Sequence, residues 1–188
     1  EAVLNFALPL LKKQLGDQPL HGVGHRVVHG GDQFDTPTLI DEKVEQVIKE
    51  VSVLAPLHNP VNLLGITVAR SIFSELPHIA VFDTSFHQTM PRRAVTYALP
   101  KQLREKYHIK RYGFHGTSHE YVAQLAANYL QQEMNSLRII TCHLGNGASI
   151  AAVEYGRSVE TSMGMTPLEG LVMGTRSGDV DPGALIYL

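Results

Sequence analysis

The first chemistry that the sequence suggests is anion binding by arginine. Arg26 lies in an apolar segment that runs into Gly30-Gly31, and Arg176 lies in the polar loop 174–182. A planar guanidinium can hold two oxygens of a carboxylate or a phosphate at once. We therefore interpret Arg176 as a ligand-binding residue, and the aspartates of its loop as turn residues. For Arg26 taken alone, a structural ion pair is the stronger interpretation.

Histidines in polar segments are the second candidates. His115 precedes Thr117, the expected N-cap of a helix, and helix N-termini favour anions. His119 falls in the first turn of that helix and is interpreted as structural. The segment 143–147 contains two glycines, which would let backbone amides approach a phosphate, although Asn146-Gly147 alone is also a favoured hairpin turn.

A carboxylate completes the set of chemistry-bearing residues. Asp83 directly follows the apolar segment 78–82, which is typical of a buried strand. Open α/β sheets bind ligands at the carboxyl ends of their strands, so Asp83 is a candidate site residue. An aspartate that only forms a local turn explains the same pattern equally well.

Alternating helices and strands must position these residues. Asp41 and Asn59-Pro60 are expected to begin two helices, and a capping box over Thr117–Glu120 a third. Apolar spacing also predicts a helix that ends at Gly16. Strands are expected over 22–29, 78–82, 137–142, 148–153 and 158–162. The alternation indicates an α/β protein.

Composition excludes several classes. The 188 residues contain 44% hydrophobic residues and carry a net charge of −2, which argues against disorder and against a nucleic-acid binder. We see no apolar run long enough to span a membrane. Cys142 is the single cysteine, interpreted as a small buried residue, so an internal disulfide is excluded and a reducing cytoplasm is expected.

Taken together, the motifs resemble those of the acetate kinase family, which contains acetate and propionate kinases. The order and content of the matching blocks are specific, and they run along the whole chain. The blocks are 24–31 (GHRVVHGG), 55–60 (APLHNP), 82–87 (FDTSFH), 111–119 (RYGFHGTSH), 143–147 (HLGNG) and 173–182 (MGTRSGDVDP).

The resemblance implies an α/β, ribonuclease-H-like fold of the acetate and sugar kinase, Hsp70 and actin superfamily. Residues 1–84 would be the later part of the N-terminal kinase domain, and 85–188 the early part of the second, nucleotide-binding domain. It further implies a cytoplasmic homodimer that makes acetyl phosphate and ADP from acetate and ATP, reversibly and with Mg²⁺. Nucleic-acid and membrane partners are not implied.

The resemblance also assigns roles by position. The implied catalytic residues are Asp83, His115 and Arg176. The implied substrate-binding residues are Arg26, Val28, Leu57, His58, Phe114 and Pro167. The implied ATP phosphate-binding residues are His143, Leu144, Gly145, Asn146 and Gly147. Val28, Leu57, Phe114 and Pro167 would form the pocket for the methyl group of acetate.

Two physical considerations refine this assignment. Acetate is itself a carboxylate, ionised at neutral pH, so it needs no general base, and Asp83 is expected to orient other groups rather than remove a proton. The first phosphate loop, the adenosine-binding segments and the Mg²⁺-side residues of the family are not found. We therefore expect an internal fragment, truncated at both ends and inactive alone, with the Mg²⁺ ligands outside it.

Three alternatives remain at this stage. The first is a propionate kinase, and the second is a catalytically inactive fragment or binding module. The third is a His/Asp metal hydrolase, which is disfavoured because no metal-ligand spacing is present.

Overall fold

The computed structural model describes residues 2–16 and 18–188. The described residues form two compact units, the first ending at Phe82 and the second running from Asp83 to Leu188. The helices and strands in this part of the chain are α1 (Ala2–Leu15), β1 (Val23–Val27), β2 (Thr38–Leu39), α2 (Glu42–Glu50), α3 (Asn59–Ile72), β3 (His78–Phe82), α4 (Arg92–Val95), α5 (Lys101–Lys106), α6 (Gly116–Leu130), β4 (Arg138–Leu144), β5 (Ala148–Glu154), β6 (Arg157–Thr161) and α7 (Pro182–Tyr187).

The first unit is built on a sheet with the strand order β1-β3-β2. β1 pairs in parallel with β3, and β2 is antiparallel to β3. One face of the sheet packs against α2 and α3, and the core consists of Val27, Ile40, Val44, Ile48, Ile66, Ala80 and Phe82. The predicted strand over 78–82 and the predicted Asp41 cap are both confirmed, since the Asp41 carboxylate accepts a bond from the Val44 amide at 2.8 Å.

The start of α3 differs from the sequence prediction. The helix begins at Asn59 with His58 as its N-cap residue, so the prediction that Asn59 caps the helix is wrong, although Pro60 does lie in the first turn. The Asn59 side chain is fully buried and bonds instead to the main chain after β1. A buried amide satisfies polar backbone groups there that could not otherwise reach water.

The second unit contains the antiparallel sheet β4-β5-β6. The predicted strands over 137–142 and 148–153 are confirmed and form a hairpin, since β4 and β5 pair from Arg138 opposite Glu154 to Leu144 opposite Ala148. α6 lies against this sheet, and Phe86, Ala123 and Val153 form a buried cluster with Met134 and Ile139 packed on it.

Two sequence predictions fail in this unit. α6 begins at Gly116 with His115 as N-cap residue, so the predicted capping box over Thr117–Glu120 is wrong. The Gly116 amide donates to the Asp83 carbonyl at 2.8 Å, and a Cβ on Gly116 would lie 2.3 Å from that oxygen. Cys142 is exposed and not buried, because it lies on the opposite face of β4 from the buried Thr141.

In the described ranges, none of the helices combines the length and apolar character that a membrane span requires.

Candidate functional site

The tip of the β4–β5 hairpin lies against two of the predicted site residues. The Gly145 amide donates to the Gly147 carbonyl at 3.0 Å, which closes the turn. A Cβ on Gly147 would lie 2.6 Å from Arg176 Nη2 and 3.4 Å from His115 Nε2. Glycine is therefore required for the hairpin, the guanidinium and the imidazole to come this close.

The loop that carries Arg176 is fixed to the same hairpin. The Gly174 amide donates to the Asn146 carbonyl at 3.2 Å, and the Met173 amide donates to the Arg176 carbonyl at 2.9 Å. Arg176 Nη1 donates to the Pro167 carbonyl at 2.7 Å. Arg176, Pro167 and Asn146 are distant in sequence, and these bonds bring them together in the structure.

A second set of contacts holds His115. Its φ of 59° is left-handed, a region that few residues other than glycine adopt. Its ring stacks on that of His143, with 4.0 Å between the ring centroids, and His143 Nδ1 lies 2.9 Å from Ser118 Oγ. His115 Nδ1 lies 2.8 Å from Ser149 Oγ, which fixes the ring plane.

Sequence reasoning did not anticipate the polar network behind His115. His119 is 1% exposed, and it bridges Ser149 Oγ and Thr141 Oγ1, each at 2.8 Å. Burial, together with the charges of His87, His115 and His143, lowers the pKa of His119 to about 3. His119 is therefore a neutral imidazole at physiological pH. The signal available in the sequence was His115 and His119 at helical spacing.

His87 is a second buried imidazole in this unit. Its Nε2 donates to the Phe114 carbonyl at 3.0 Å, so its Nδ1 accepts from the Ser158 hydroxyl at 2.7 Å. Burial lowers the pKa of His87 to about 4, against the raising effects of the Phe114 carbonyl and of Asp83. The ring thus fixes the main chain just before His115.

Asp83 and Phe114 are both almost completely buried, at 1% exposure each. The Asp83 carbonyl accepts the first amide of α6, so the residue after β3 is tied to the start of that helix. Its carboxylate lies close enough to His87 to affect the pKa of that imidazole. Asp83 and Phe114 are therefore both enclosed by protein and little exposed to solvent.

A further cluster that the sequence did not reveal fixes the loop before Arg176. Arg111 donates to the carbonyls of Thr161, Ser162 and Met163 at 3.1–3.2 Å and pairs with Glu169. Tyr97 donates to the same Glu169 carboxylate, and burial followed by this bond raises the pKa of Tyr97 to about 12. Glu169 is 58 residues from Arg111 along the chain, so no local pattern indicates the pairing.

The other predicted residues lie in the first unit. Arg26 is exposed on β1, and Val28 follows the end of that strand, on the opposite side from the fully buried Val27. Val28 donates its amide to Asn62 at 3.1 Å. Leu57 is 82% exposed, and the neighbouring His58 is exposed as well, just before α3.

The second unit therefore gathers a glycine hairpin, a guanidinium and an imidazole near the N-terminus of α6. Backbone amides at a glycine turn, an arginine fork and a helix N-terminus are all donors for anionic oxygens. On a mixed α/β scaffold, this arrangement has the features of an anion-binding, group-transfer protein.

Comparison with known proteins identifies the family. The model of the acetokinase family matches residues 1–188, and the chain belongs to that family. The chain is 60% identical over 171 residues to the acetate kinase of Halothermothrix orenii, covering 91% of this chain and 43% of that protein. It is 56% identical over 191 residues to the acetate kinase of Thermotoga maritima, covering 97% and 47%.

Solved structures agree with this assignment. Porphyromonas gingivalis acetate kinase superposes with a TM-score of 0.90 at 45% identity, covering 98% of this chain and 48% of that one. A propionate kinase from Francisella tularensis gives 0.91 at 49% identity, covering 97% and 48%. The resemblance and the fold class inferred from the sequence are confirmed. The chain spans about half the length of the relatives it matches.

Proposed function

We propose that the protein to which this chain belongs is an acetate kinase, which reversibly transfers the γ-phosphoryl group of ATP to acetate. The observation that carries the proposal is the convergence of Gly147, His115 and Arg176 in a chain of the acetokinase family. The names of the Halothermothrix and Thermotoga relatives support acetate as the acceptor.

The chemistry requires charge neutralisation more than proton transfer. A carboxylate oxygen of acetate forms a bond to the γ-phosphorus, while the bond from that phosphorus to the β–γ bridging oxygen breaks and its electron pair leaves with ADP. Because a carboxylic acid with a pKa of about 4 is ionised at neutral pH, no base is needed. Asp83, which is buried beside the start of α6, is proposed to orient other groups.

The cationic and polar side chains have the remaining roles. Arg176 is proposed to hold the phosphoryl group as it transfers, and Arg26 the acetate carboxylate, each through its planar fork. His115 is proposed to donate to a phosphoryl oxygen, with His58 as a further polar neighbour. Loss of one such preorganised donor typically costs about 10²–10³ in rate.

The β4–β5 hairpin is proposed to hold the phosphates of ATP. Because the Gly145 amide is already engaged inside the turn, we assign the phosphate contacts to the amides of Asn146 and Gly147. His143 and Leu144 precede the turn and position it. The methyl group of acetate is assigned to Val28, Leu57, Phe114 and Pro167.

Magnesium is proposed to enter with ATP. Within residues 2–16 and 18–188, no group of three or more His, Cys, Asp or Glu side chains could hold a metal ion. The roles proposed above do not depend on a metal ion held by these residues. The proposal also includes a homodimer located in the cytoplasm, as the family resemblance implies.

The test is acetyl phosphate formation from ATP and acetate by the full-length enzyme that carries this chain. Arg176→Lys keeps the charge and loses the fork, so kcat should fall far more than the KM for ATP rises. Arg26→Ala should lower kcat and also raise the KM for acetate. Arg92→Lys, at an exposed position on α4, is the matched control. Acetate kinetics within twofold of the parent in both site variants would contradict the assignment.

The chain of residues 1–188 by itself is proposed to have little or no turnover. It spans 43% and 47% of the two acetate kinases compared above, and several donors that lower the barrier would be missing. Turnover by the purified chain near that of the full-length enzyme would contradict this part of the proposal.

Propionate kinase is the second candidate, favoured by the 49% identity to the Francisella enzyme. The kcat/KM values for the two acids separate the candidates. A parent enzyme that prefers propionate would support the second.

A further inference from the structure

A continuous chain of hydrogen bonds runs from His115 into the interior of the second unit. His115 Nδ1 lies 2.8 Å from Ser149 Oγ, and the same oxygen lies 2.8 Å from His119 Nε2. His119 Nδ1 lies 2.8 Å from Thr141 Oγ1, which donates to the Ala151 carbonyl at 3.4 Å. His119, Ser149 and Thr141 are at most 2% exposed, so bulk water does not compete for these bonds.

Each hydroxyl in this chain has one proton to donate and two lone pairs with which to accept, so the direction of the bonds depends on the group to which each hydroxyl donates. If His119 Nε2 has no proton, Ser149 must donate to it and accept from His115 Nδ1. His119 stays neutral, because its pKa is far below the physiological range, and it therefore has one N–H. The direction of the whole chain is consequently decided at its ends.

The inner end favours one direction. A backbone carbonyl can accept but not donate, so Thr141 donates to Ala151 and accepts from His119 Nδ1–H. His119 Nε2 then accepts from Ser149, and Ser149 accepts from His115 Nδ1–H. The outer nitrogen of His115, Nε2, lies on the side where a Gly147 Cβ would stand.

We propose that Thr141, His119 and Ser149 are positioning residues that direct the proton of neutral His115 to Nδ1. Nε2 is thereby the basic nitrogen that faces the hairpin, and a proton taken up there from solvent gives the imidazolium N–H that donates to an anionic oxygen. Because Nδ1–H is already bonded to Ser149, the imidazolium forms without any rearrangement of the chain. The inference rests on the proposed function for its role in catalysis, but not for the tautomer itself.

The tautomer can be measured without any reaction. In the full-length enzyme with ¹⁵N-labelled histidine, the two ring nitrogens of His115 give distinct NMR shifts. At about two pH units above the ordinary imidazole pKa, we expect the proton on Nδ1. A free neutral imidazole side chain favours Nε2–H, so a proton found on Nε2 in the unmodified enzyme overturns the proposal.

Matched variants then test the cause. Thr141→Val removes the hydroxyl at nearly constant shape, and it should move His115 toward the Nε2–H tautomer, whereas Thr141→Ser should keep Nδ1–H. Ser149→Ala should act like Thr141→Val, and Ser118→Ala, which removes the partner of His143, should leave His115 unchanged. If Thr141→Ser behaves like Thr141→Val, or if neither Thr141→Val nor Ser149→Ala moves the proton, the proposal is wrong.

Kinetics separate this inference from the proposed function. Thr141→Val should lower kcat by roughly tenfold, a part of the roughly 10²–10³ that loss of one preorganised donor costs, with both KM values within twofold. If the tautomer shifts as expected while the parent enzyme makes no acetyl phosphate, the hydrogen-bond chain stands and the proposed function fails. If acetyl phosphate forms but the tautomer does not respond, the reverse conclusion holds.

Discussion

In the first unit, candidate ligand-binding side chains are exposed, and the main chain next to them is held by hydrogen bonds from a buried side chain. Leu57 and His58 are exposed, whereas Asn59 is completely buried and bonds to both the amide and the carbonyl of His29. In the second unit the candidate side chains are themselves held. His115 is bonded to Ser149, for example, and stacked on His143.

This difference separates two ways of preorganising a site. Where the backbone is fixed and the side chains are exposed, loss of a buried side chain that bonds to the backbone should first lower the free energy of unfolding. Where the site side chains themselves are fixed, loss of a group that bonds to them should first change kcat or the protonation of the side chain. The following predictions test that distinction, from the largest expected effect to the smallest.

The strongest test is Gly147→Ala in the second unit. The new Cβ would lie 2.6 Å from Arg176 Nη2, so the guanidinium must move from its present position. We expect kcat to fall by about 10², comparable with the loss of one preorganised donor. In Gly65→Ala, on α3, the Cβ would meet nothing within 4 Å, and activity should stay near that of the parent. Equal effects of the two substitutions, measured as kcat/KM, would contradict the role given to Gly147.

Acidification should destabilise the second unit strongly. The pKa of His87 is about 4 in the folded state, against an ordinary value of 6.5 in the unfolded chain. The unfolded chain therefore binds more protons than the folded one between pH 4 and pH 6.5. The free energy of unfolding should therefore fall as the pH drops from about 6.5 to about 4, by about 3 kcal/mol for His87. His119, with a pKa of about 3, adds to the same trend.

Denaturant titrations between neutral pH and pH of about 4.5 measure this loss, and His87→Gln should flatten the slope. In the first unit, burial and the charges of His78 and Arg70 also lower the pKa of His25, which is only partly buried, whereas His87 and His119 are each 1% exposed. Hydrogen exchange should consequently show that amides of the second unit lose protection first on acidification. A parent protein whose stability is the same at both pH values would refute the prediction.

A pair of asparagines tests the first unit. Asn59→Ala leaves buried groups of His29 without their partner, so the free energy of unfolding should fall by about 2–3 kcal/mol. Asn62→Ala removes the bond to the Val28 amide and should cost about 1 kcal/mol. Chemical denaturation of both variants measures the loss in the free energy of unfolding. A larger loss in Asn62→Ala than in Asn59→Ala would contradict the role given to the buried Asn59.

The smallest expected effect concerns the acid that is used. Val28 follows the strand that carries Arg26, and its side chain is proposed to bound the acetate methyl group. One methylene is worth about 0.8 kcal/mol, so Val28→Ala should raise the propionate-to-acetate ratio of kcat/KM by about fourfold. The parent enzyme should prefer acetate, within the roughly 10–200-fold range of such pockets. A ratio that does not change would remove Val28 from the pocket.

Local signals were sufficient for much of the fold. The continuous apolar segment 78–82 indicated β3, and Asn146-Gly147 indicated a hairpin turn. Asp41 was a sufficient cap signal because its partner is three residues away. Asn59 carries the same kind of signal, but its partners are His29 and Ile48. A sequence pattern does not say which of two partners a buried amide will choose.

The site followed a similar division. Arg176, His115 and the hairpin could be proposed as a candidate site because arginine, histidine and glycine in polar segments are typical of anion binding. Ser149 and Thr141 could not, because hydroxyls in strands occur for many reasons and their partners are set by tertiary packing. Cys142 was misjudged from residue type, although the alternation with Thr141 on β4 would have placed it on the other face.

The left-handed backbone of His115 has a consequence for engineering this protein. A non-glycine residue in that conformation costs of the order of 1 kcal/mol, and glycine would relieve the strain. The same substitution removes the bond to Ser149 and the stacking on His143, so the melting temperature reports only the balance of these stability effects and not the proposed role of the imidazole. Because His115 is proposed to donate to the phosphoryl group, a library for thermal improvement should keep His115 fixed and vary its surroundings.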